Sequence, residues 1–247
     1  MDLRIHEDEG DKKGIRGMRQ FKSFGLLFFL IAFSCFGKQY QPCGKIDQKY
    51  SSLRQKKKLF ACVGCQYLNF MEIDFADFDQ IEPTQTEHYF DSSSIILQFS
   101  KKYHDQVLNY DRAPMYLQWI SKDVGYGVFA KEKILKDNFI GVYTGQLRLM
   151  RGVYDANPED VDYAWYYPIN ASSGKRLLID GKFKGNELRF INHDQHPNTK
   201  CIDVLVDGIF YMIYVATKNI AKGEQLTISY GEGYWSSRKV DPEKIKS

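Results

Sequence analysis

The chain has 247 residues, of which 43% are hydrophobic, 26% charged and 15% aromatic, a composition that folds and that excludes a disordered or collagen-like chain. Lys plus Arg number 34 against 31 Asp plus Glu, a net charge of +3, which is too small for a dedicated nucleic-acid binder. Five cysteines are too few for a disulfide scaffold of this length.

Residues 24–36 (FGLLFFLIAFSCF) form an uncharged apolar run behind Lys12, Lys13, Arg16, Arg19 and Lys22. A bilayer crossing needs roughly 20 apolar residues, so the run is short for a span. A basic leader, a short apolar stretch and the small residues Ala32 and Ser34 read as an export signal cut before Cys35. An uncleaved membrane anchor and a buried core helix are the alternatives, and Met18 is a second candidate start. Residues 39–111 have no assignable fold. Lys56, Lys57 and Lys58 read as a solvated helix face. Cys62 and Cys65 have CxxC spacing, but a structural zinc site wants four ligands and no second pair follows. Cys43 is a candidate third ligand; small buried residues or a local disulfide are the simpler reading. Between Leu59 and Ser100 there is no Lys or Arg, while Glu72, Asp74, Asp77, Asp79, Glu82, Glu87 and Asp91 all fall there. That stretch reads as a solvated acidic face, with a surface for a basic peptide as the lesser reading.

From Pro114 short apolar stretches follow one another: MYLQWI, GYGVFA, FIGVYTG, YAWYY, RLLID, CIDVLV, IFYMIYVA and QLTISYG. Gly, Asn, Asp, Ser and Pro punctuate them, the pattern of a mainly β domain. Asp207-Gly208 is a hairpin turn, since both residues tolerate positive φ, and residues 172–175 (SSGK) look like another. No phosphate loop, HExxH or GxSxG occurs, which removes nucleotide hydrolysis, zincin proteolysis and the common serine hydrolases as leading readings.

Three strings carry chemistry. Gly125-Tyr126-Gly127 is a bend whose backbone groups can lie against a ligand. Arg189-Phe190-Ile191-Asn192-His193, with Pro197-Asn198 behind it, is dense in hydrogen-bonding groups and suited to an organic ligand. The strand 225–231 ends in Tyr230-Gly231, with Tyr234-Trp235 following. In this order, and with Val142-Tyr143-Thr144-Gly145 between the first two, they resemble the SET-domain protein-lysine methyltransferases. The resemblance covers residues 114–235.

It implies a mainly β fold of several short sheets with a knot-like C-terminal threading, behind a helical N-terminal region. The implied divisions are a targeting segment at 1–36, a region of unknown fold at 37–112, the methyltransferase domain at 113–235 and a polar tail at 236–247. The implied cofactor is S-adenosylmethionine, held by Gly125, Tyr126, Gly127, Arg189, Asn192 and His193, with Trp235 over the adenine. Tyr143 and Tyr230 match the family's two lysine-facing tyrosines. Tyr163, Trp165 and Tyr167 alternate and are candidates for the lysine channel. No metal ligand set is expected.

The implied partner is a protein bearing the target lysine, a histone or another basic protein; nucleic acid is not expected, and membrane contact would come through the N-terminal segment if it stays uncleaved. An inactive SET-like scaffold is the alternative function. Asp194 and Gln195 depart from the family's usual Ser-Cys, and the tail lacks its zinc-binding cysteines. With the export signal, the resemblance suggests a secreted enzyme acting on a host's proteins.

Overall fold

The computed structural model describes residues 40–73, 94–152 and 157–239. The apolar run at 24–36, most of the acidic stretch and the last residues of the tail lie outside these. All the described residues fall within one compact unit, Gly37–Ser247. Among them no helix is long and apolar enough to cross a membrane.

The first helix, α1 (Leu53–Cys62), starts at a capping box in which Ser52 and Gln55 satisfy each other's backbone N–H groups. Its buried residues are Lys56, Leu59 and Phe60, spaced i, i+3 and i+4 on one face. The solvated lysine face thus needs correction: Lys57 and Lys58 are exposed, but Lys56 turns inward and its Nζ lies 2.6 Å from a Glu187 carboxylate oxygen. The second helix, α2 (Ser94–Leu108), buries Ser100, Tyr103 and Val107, again one face.

The strands are short, as their sequences foretell. β1 (Gln66–Tyr67) and β2 (Glu72–Ile73) come from the N-terminal region. β3 (Met115–Ser121) and β4 (Gly125–Ala130) form an antiparallel hairpin. β5 (Phe139–Val142), β6 (Gln146–Leu149), β7 (Ala164–Asn170), β8 (Arg176–Asp180) and β9 (Lys184–Gly185) follow. A 3-10 turn over Glu187–Phe190, capped by Asn186, leads into β10 (Asn192–His193). Then come the long β11 (Thr199–Val206) and β12 (Ile209–Ala216), the brief β13 (Thr227–Ile228) and the last helix, α3 (Glu232–Arg238).

β12 lies between β11 and β5 and is buried at every position but its first, which is why its sequence is a continuous apolar run rather than an alternation. Asp207 and Gly208 join β11 to it with φ of 50° and 79°, the positive pair that a tight two-residue hairpin demands. α2 packs on β11, and its Ser100 hydroxyl accepts the Leu205 N–H at 2.9 Å. A second sheet has the order β2-β6-β8-β7.

The N-terminal region is woven into this body. β1 pairs with β9, β2 with β6, and Tyr50 bridges Leu117. β10 and β13 pair in parallel, Asn192 opposite Thr227 and His193 opposite Ile228. That pairing brings two of the chemistry-bearing strings side by side, although residues 194–226, with β11 and β12 among them, separate them.

The cysteines resolve differently from a CxxC pair. Cys43 is bonded to Cys62, while Cys65 is a buried free thiol.

Candidate functional site

A cleft of about 680 Å³ opens where β4, the 3-10 turn, β10 and α3 meet, within the roughly 300–1,000 Å³ typical of small-molecule sites. Its floor is set by hydrogen bonds between the strings. Asn192 Nδ2 donates to the Tyr126 carbonyl at 3.1 Å, fixing the glycine bend against β10. The Tyr230 N–H donates to His193 Nδ1 at 3.1 Å. With Nδ1 accepting, the neutral ring carries its proton on Nε2. Burial pushes the His193 pKa down despite Asp194 nearby, so the neutral form prevails. Gly125 has φ +80°, a backbone that side chains with a Cβ adopt only at a penalty.

Two buried donors in this cleft find no partner among the described residues: His193 Nε2 and Trp235 Nε1. Buried N–H groups left without partners are rare and mark a place where a polar ligand atom fits. Trp235 is anchored on α3 and packs its ring 4.8 Å from His193 and 5.9 Å from Tyr230.

Deeper in, Tyr143 and Tyr230 both face the cleft. The Tyr143 hydroxyl donates to the Tyr163 carbonyl at 2.5 Å and the Tyr230 hydroxyl donates to the Ile191 carbonyl at 3.1 Å. Burial raises both phenols well above their ordinary pKa, so both keep their protons at neutral pH. Tyr143, Trp165 and Tyr214 stand with ring centroids 6.2 to 6.5 Å apart, three aromatic walls of one recess.

The structure thus gathers Gly125, Tyr126, Tyr143, Tyr163, Trp165, Arg189, Asn192, His193, Tyr230 and Trp235 around one space. It does not bring two expected residues there. Gly127 lies just outside the lining, tightly packed: a Cβ on it would come within 2.5 Å of Ile120 Cδ1 and 3.3 Å of Asn192 Nδ2. Tyr167 points elsewhere, its hydroxyl accepting the Phe210 N–H at 2.9 Å. The expected alternation fails because β7 loses register with β8 between Tyr166 and Asn170. Tyr163 precedes β7 in the left-handed region, φ +67°.

Arg189 belongs to the wall chiefly as a brace. Its Nε donates to the Gly181 carbonyl at 2.8 Å and one terminal nitrogen to the Lys182 carbonyl at 3.1 Å, and its guanidinium lies 4.0 Å over the Tyr163 ring. Asp194 proves local: its carboxylate accepts the His196 N–H at 2.7 Å.

Sequence reading missed Tyr214, hidden in the uniformly apolar β12. It also missed Tyr40, which lines the cleft from outside the three strings.

Comparison with known proteins agrees with this geometry. The SET domain family profile matches residues 125–231. The human histone-lysine N-methyltransferase EHMT1 is 33% identical over 119 residues, 47% of this chain and 9% of the relative. The Drosophila melanogaster histone-lysine N-methyltransferase ash1 is 28% identical over 137 residues, 53% of this chain and 6% of the relative. The Arabidopsis thaliana histone-lysine N-methyltransferase ASHH3 is 31% identical over 113 residues, 43% of this chain and 29% of the relative. The chain therefore spans less than a third of the length of these relatives. The solved structure of ATXR5 in complex with histone H3.1 mono-methylated on R26 covers 74% of this chain, and the match takes in 93% of that chain. It superposes with a TM-score of 0.55 at 20% identity, a likeness of fold. Residues 125–231 of the chain therefore carry a SET domain, the domain of protein-lysine methyltransferases, which generally draw their methyl group from S-adenosylmethionine.

Proposed function

We propose that this cleft binds S-adenosylmethionine and that the chain transfers its methyl group to the ε-amine of a lysine in a protein substrate. The observation that carries the reading is the meeting of two unpartnered buried donors, His193 Nε2 and Trp235 Nε1, with two protonated tyrosines in one cleft. The donors suit the polar edge of a nucleoside. Gly125 lets the backbone approach closely, and Asn192, already oriented by Tyr126, suits the cofactor's amino-acid end. When bound, the cofactor supplies an electrophilic methyl group on a sulfonium.

A lysine amine has an ordinary pKa of about 10.4 and must arrive neutral to attack. The recess of Tyr143, Trp165 and Tyr214 removes water from it, which disfavours the ammonium form. Neither Tyr143 nor Tyr230 serves as the base, because both phenols stay protonated. Each hydroxyl donates to a main-chain carbonyl and keeps oxygen lone pairs free to accept an amine N–H. Their role is to align the nitrogen with the methyl group, where correct orientation supplies much of the rate.

Histones or a similarly basic protein are the proposed substrate class, supported by the names of the relatives. Export through residues 24–36, with a retained membrane anchor as the alternative, is also proposed. The Cys43–Cys62 disulfide supports it, since such bonds persist in oxidising compartments. Incubating the chain with labelled cofactor and a panel of histones and lysates, then mapping modified lysines by mass spectrometry, tests the function. Methyl-lysine is expected; absence of both cofactor binding and lysine methylation overturns it.

A further inference from the structure

Tyr40 lies far outside the matched residues 125–231, yet it stands in the same cleft. Its N–H donates to the Lys122 carbonyl at 2.7 Å. Its ring covers Gly125, where a Cβ would come within 3.2 Å of the ring's Cγ. Burial first, and then the neighbouring Tyr163 side chain, hold its phenol well above the ordinary pKa. One ring therefore reaches from the glycine bend on one side to Tyr163 on the other.

Three residues later the chain is fastened again. The Cys43 N–H donates to the Tyr126 hydroxyl at 2.6 Å, and the Cys43 carbonyl accepts the Tyr50 hydroxyl at 3.2 Å. Cys43 is also bonded to Cys62, the last residue of α1. That helix is itself packed against the body: Phe60 sits edge-on to Tyr67 and Phe190 at 4.9 and 5.4 Å, and Lys56 is ion-paired with Glu187.

We infer that residues 40–43 are a strap that supplies one wall of the cofactor site, and that the Cys43–Cys62 disulfide holds it there, so that cofactor affinity follows the redox state of this pair. The inference rests on the reading of the cleft as the S-adenosylmethionine site. With the Tyr40 ring in place the cleft still measures about 680 Å³, ample for a ligand of that size, so the ring is a wall and not a plug.

Cys62 is solvent-exposed, within reach of a dithiol reductant. Reduction is a two-electron exchange. A reductant thiolate attacks one sulfur and forms a mixed disulfide; the reductant's second thiol then closes its own disulfide, leaving Cys43 and Cys62 as thiols. The strap would then keep only hydrogen bonds of small net worth. If it stays in place about a tenth of the time, apparent affinity falls about tenfold, because binding selects the competent fraction.

Calorimetric titration of the whole chain with S-adenosylmethionine tests this, comparing the oxidised protein, the same protein in dithiothreitol and the Cys43→Ser/Cys62→Ser variant. The oxidised form is expected to bind about tenfold more tightly than the other two, with the double variant indifferent to reductant. Tyr40→Ala, disulfide intact, is expected to weaken binding about tenfold, which a staple that merely stabilises the fold would not produce.

Far-UV circular dichroism accompanies each titration. Should the double variant fail to fold, the wild type with and without dithiothreitol and Tyr40→Ala carry the same test. Equal affinity in the two redox states, or Tyr40→Ala within twofold of wild type, overturns the strap and leaves the cleft reading standing. Loss of dichroism on reduction also overturns it, since the disulfide would then hold the fold at large. No binding in any state overturns the cleft reading and the strap with it.

Discussion

Glu187 offers a sharp test of how the N-terminal region is bonded to the SET body. Its side chain is 1% exposed, with Lys56 Nζ at 2.6 Å and Arg112 at 3.3 Å, and it accepts the Tyr67 hydroxyl at 2.6 Å. Burial pushes its carboxyl up from the ordinary 4.5, but Lys56 and Arg112 together pull it lower still. Glu187→Gln keeps the shape and removes the charge, leaving two cations facing each other around a neutral amide. Removing one partner of a buried ion pair costs about 3–5 kcal/mol. Arg112 is 19% exposed and keeps its bond to the Asn69 carbonyl, so the lower end, about 3 kcal/mol, is expected.

Urea unfolding at pH 7, followed by tryptophan fluorescence, reads this as a midpoint about 1 M lower. The depressed carboxyl stabilises the fold fully above its unfolded value and loses that contribution as pH falls through its folded value. The gap between wild type and variant should therefore narrow as pH drops below about 4.5. A loss under 1 kcal/mol at pH 7, or a gap that does not shrink in acid, refutes the reasoning.

Tyr230→Phe keeps the ring and removes one oriented oxygen, so the methyl-transfer rate should fall about 10²- to 10³-fold while calorimetry finds cofactor affinity within a few-fold; equal losses would place Tyr230 on the cofactor wall. Asn192→Ala should weaken cofactor binding by about 1.5–3 kcal/mol, the value of a hydrogen bond to a charged group, and unchanged affinity with an intact fold would remove Asn192 from the site. Asp203, whose buried Oδ1 has no hydrogen-bond partner among the described residues, has its pKa raised by burial from 3.8 to about 6. Its folded state therefore loses stability as pH rises through 6. Asp203→Asn should raise unfolding free energy at pH 8 by about 2 kcal/mol and change little at pH 4; a gain equal at both pH values would show that the charge is not the cause.

Much of the site could be read from sequence because its chemistry sits where backbone meets ligand. A glycine bend, an Asn-His pair after a strand and a tyrosine before a glycine are local features, and the parallel pairing of β10 with β13 assembles them. The Asp207-Gly208 turn was legible for the same reason, since its positive φ values are a property of two adjacent residues. Tyr167 was misplaced because an alternation holds only while the ladder keeps register, and β7 slips between Tyr166 and Asn170, across Pro168, which has no N–H to give the ladder.

The N-terminal region was opaque for a different physical reason: its energetics are non-local. Lys56 meets Glu187 across 131 residues, and nothing in three consecutive lysines says which one is paid for by a distant carboxylate. The spacing of Lys56 with Leu59 and Phe60 did hold a clue, because it sets Lys56 beside two buried apolar side chains on one helix face. Cysteine connectivity is undetermined by sequence, and the pairing of Cys43 with Cys62 in place of the nearby Cys65 turns a suspected ligand pair into a fastener. That fastener sets Tyr40 against Gly125. The motif marks the bend, while what covers the bend is decided by a residue 85 positions upstream and a disulfide that closes over 19.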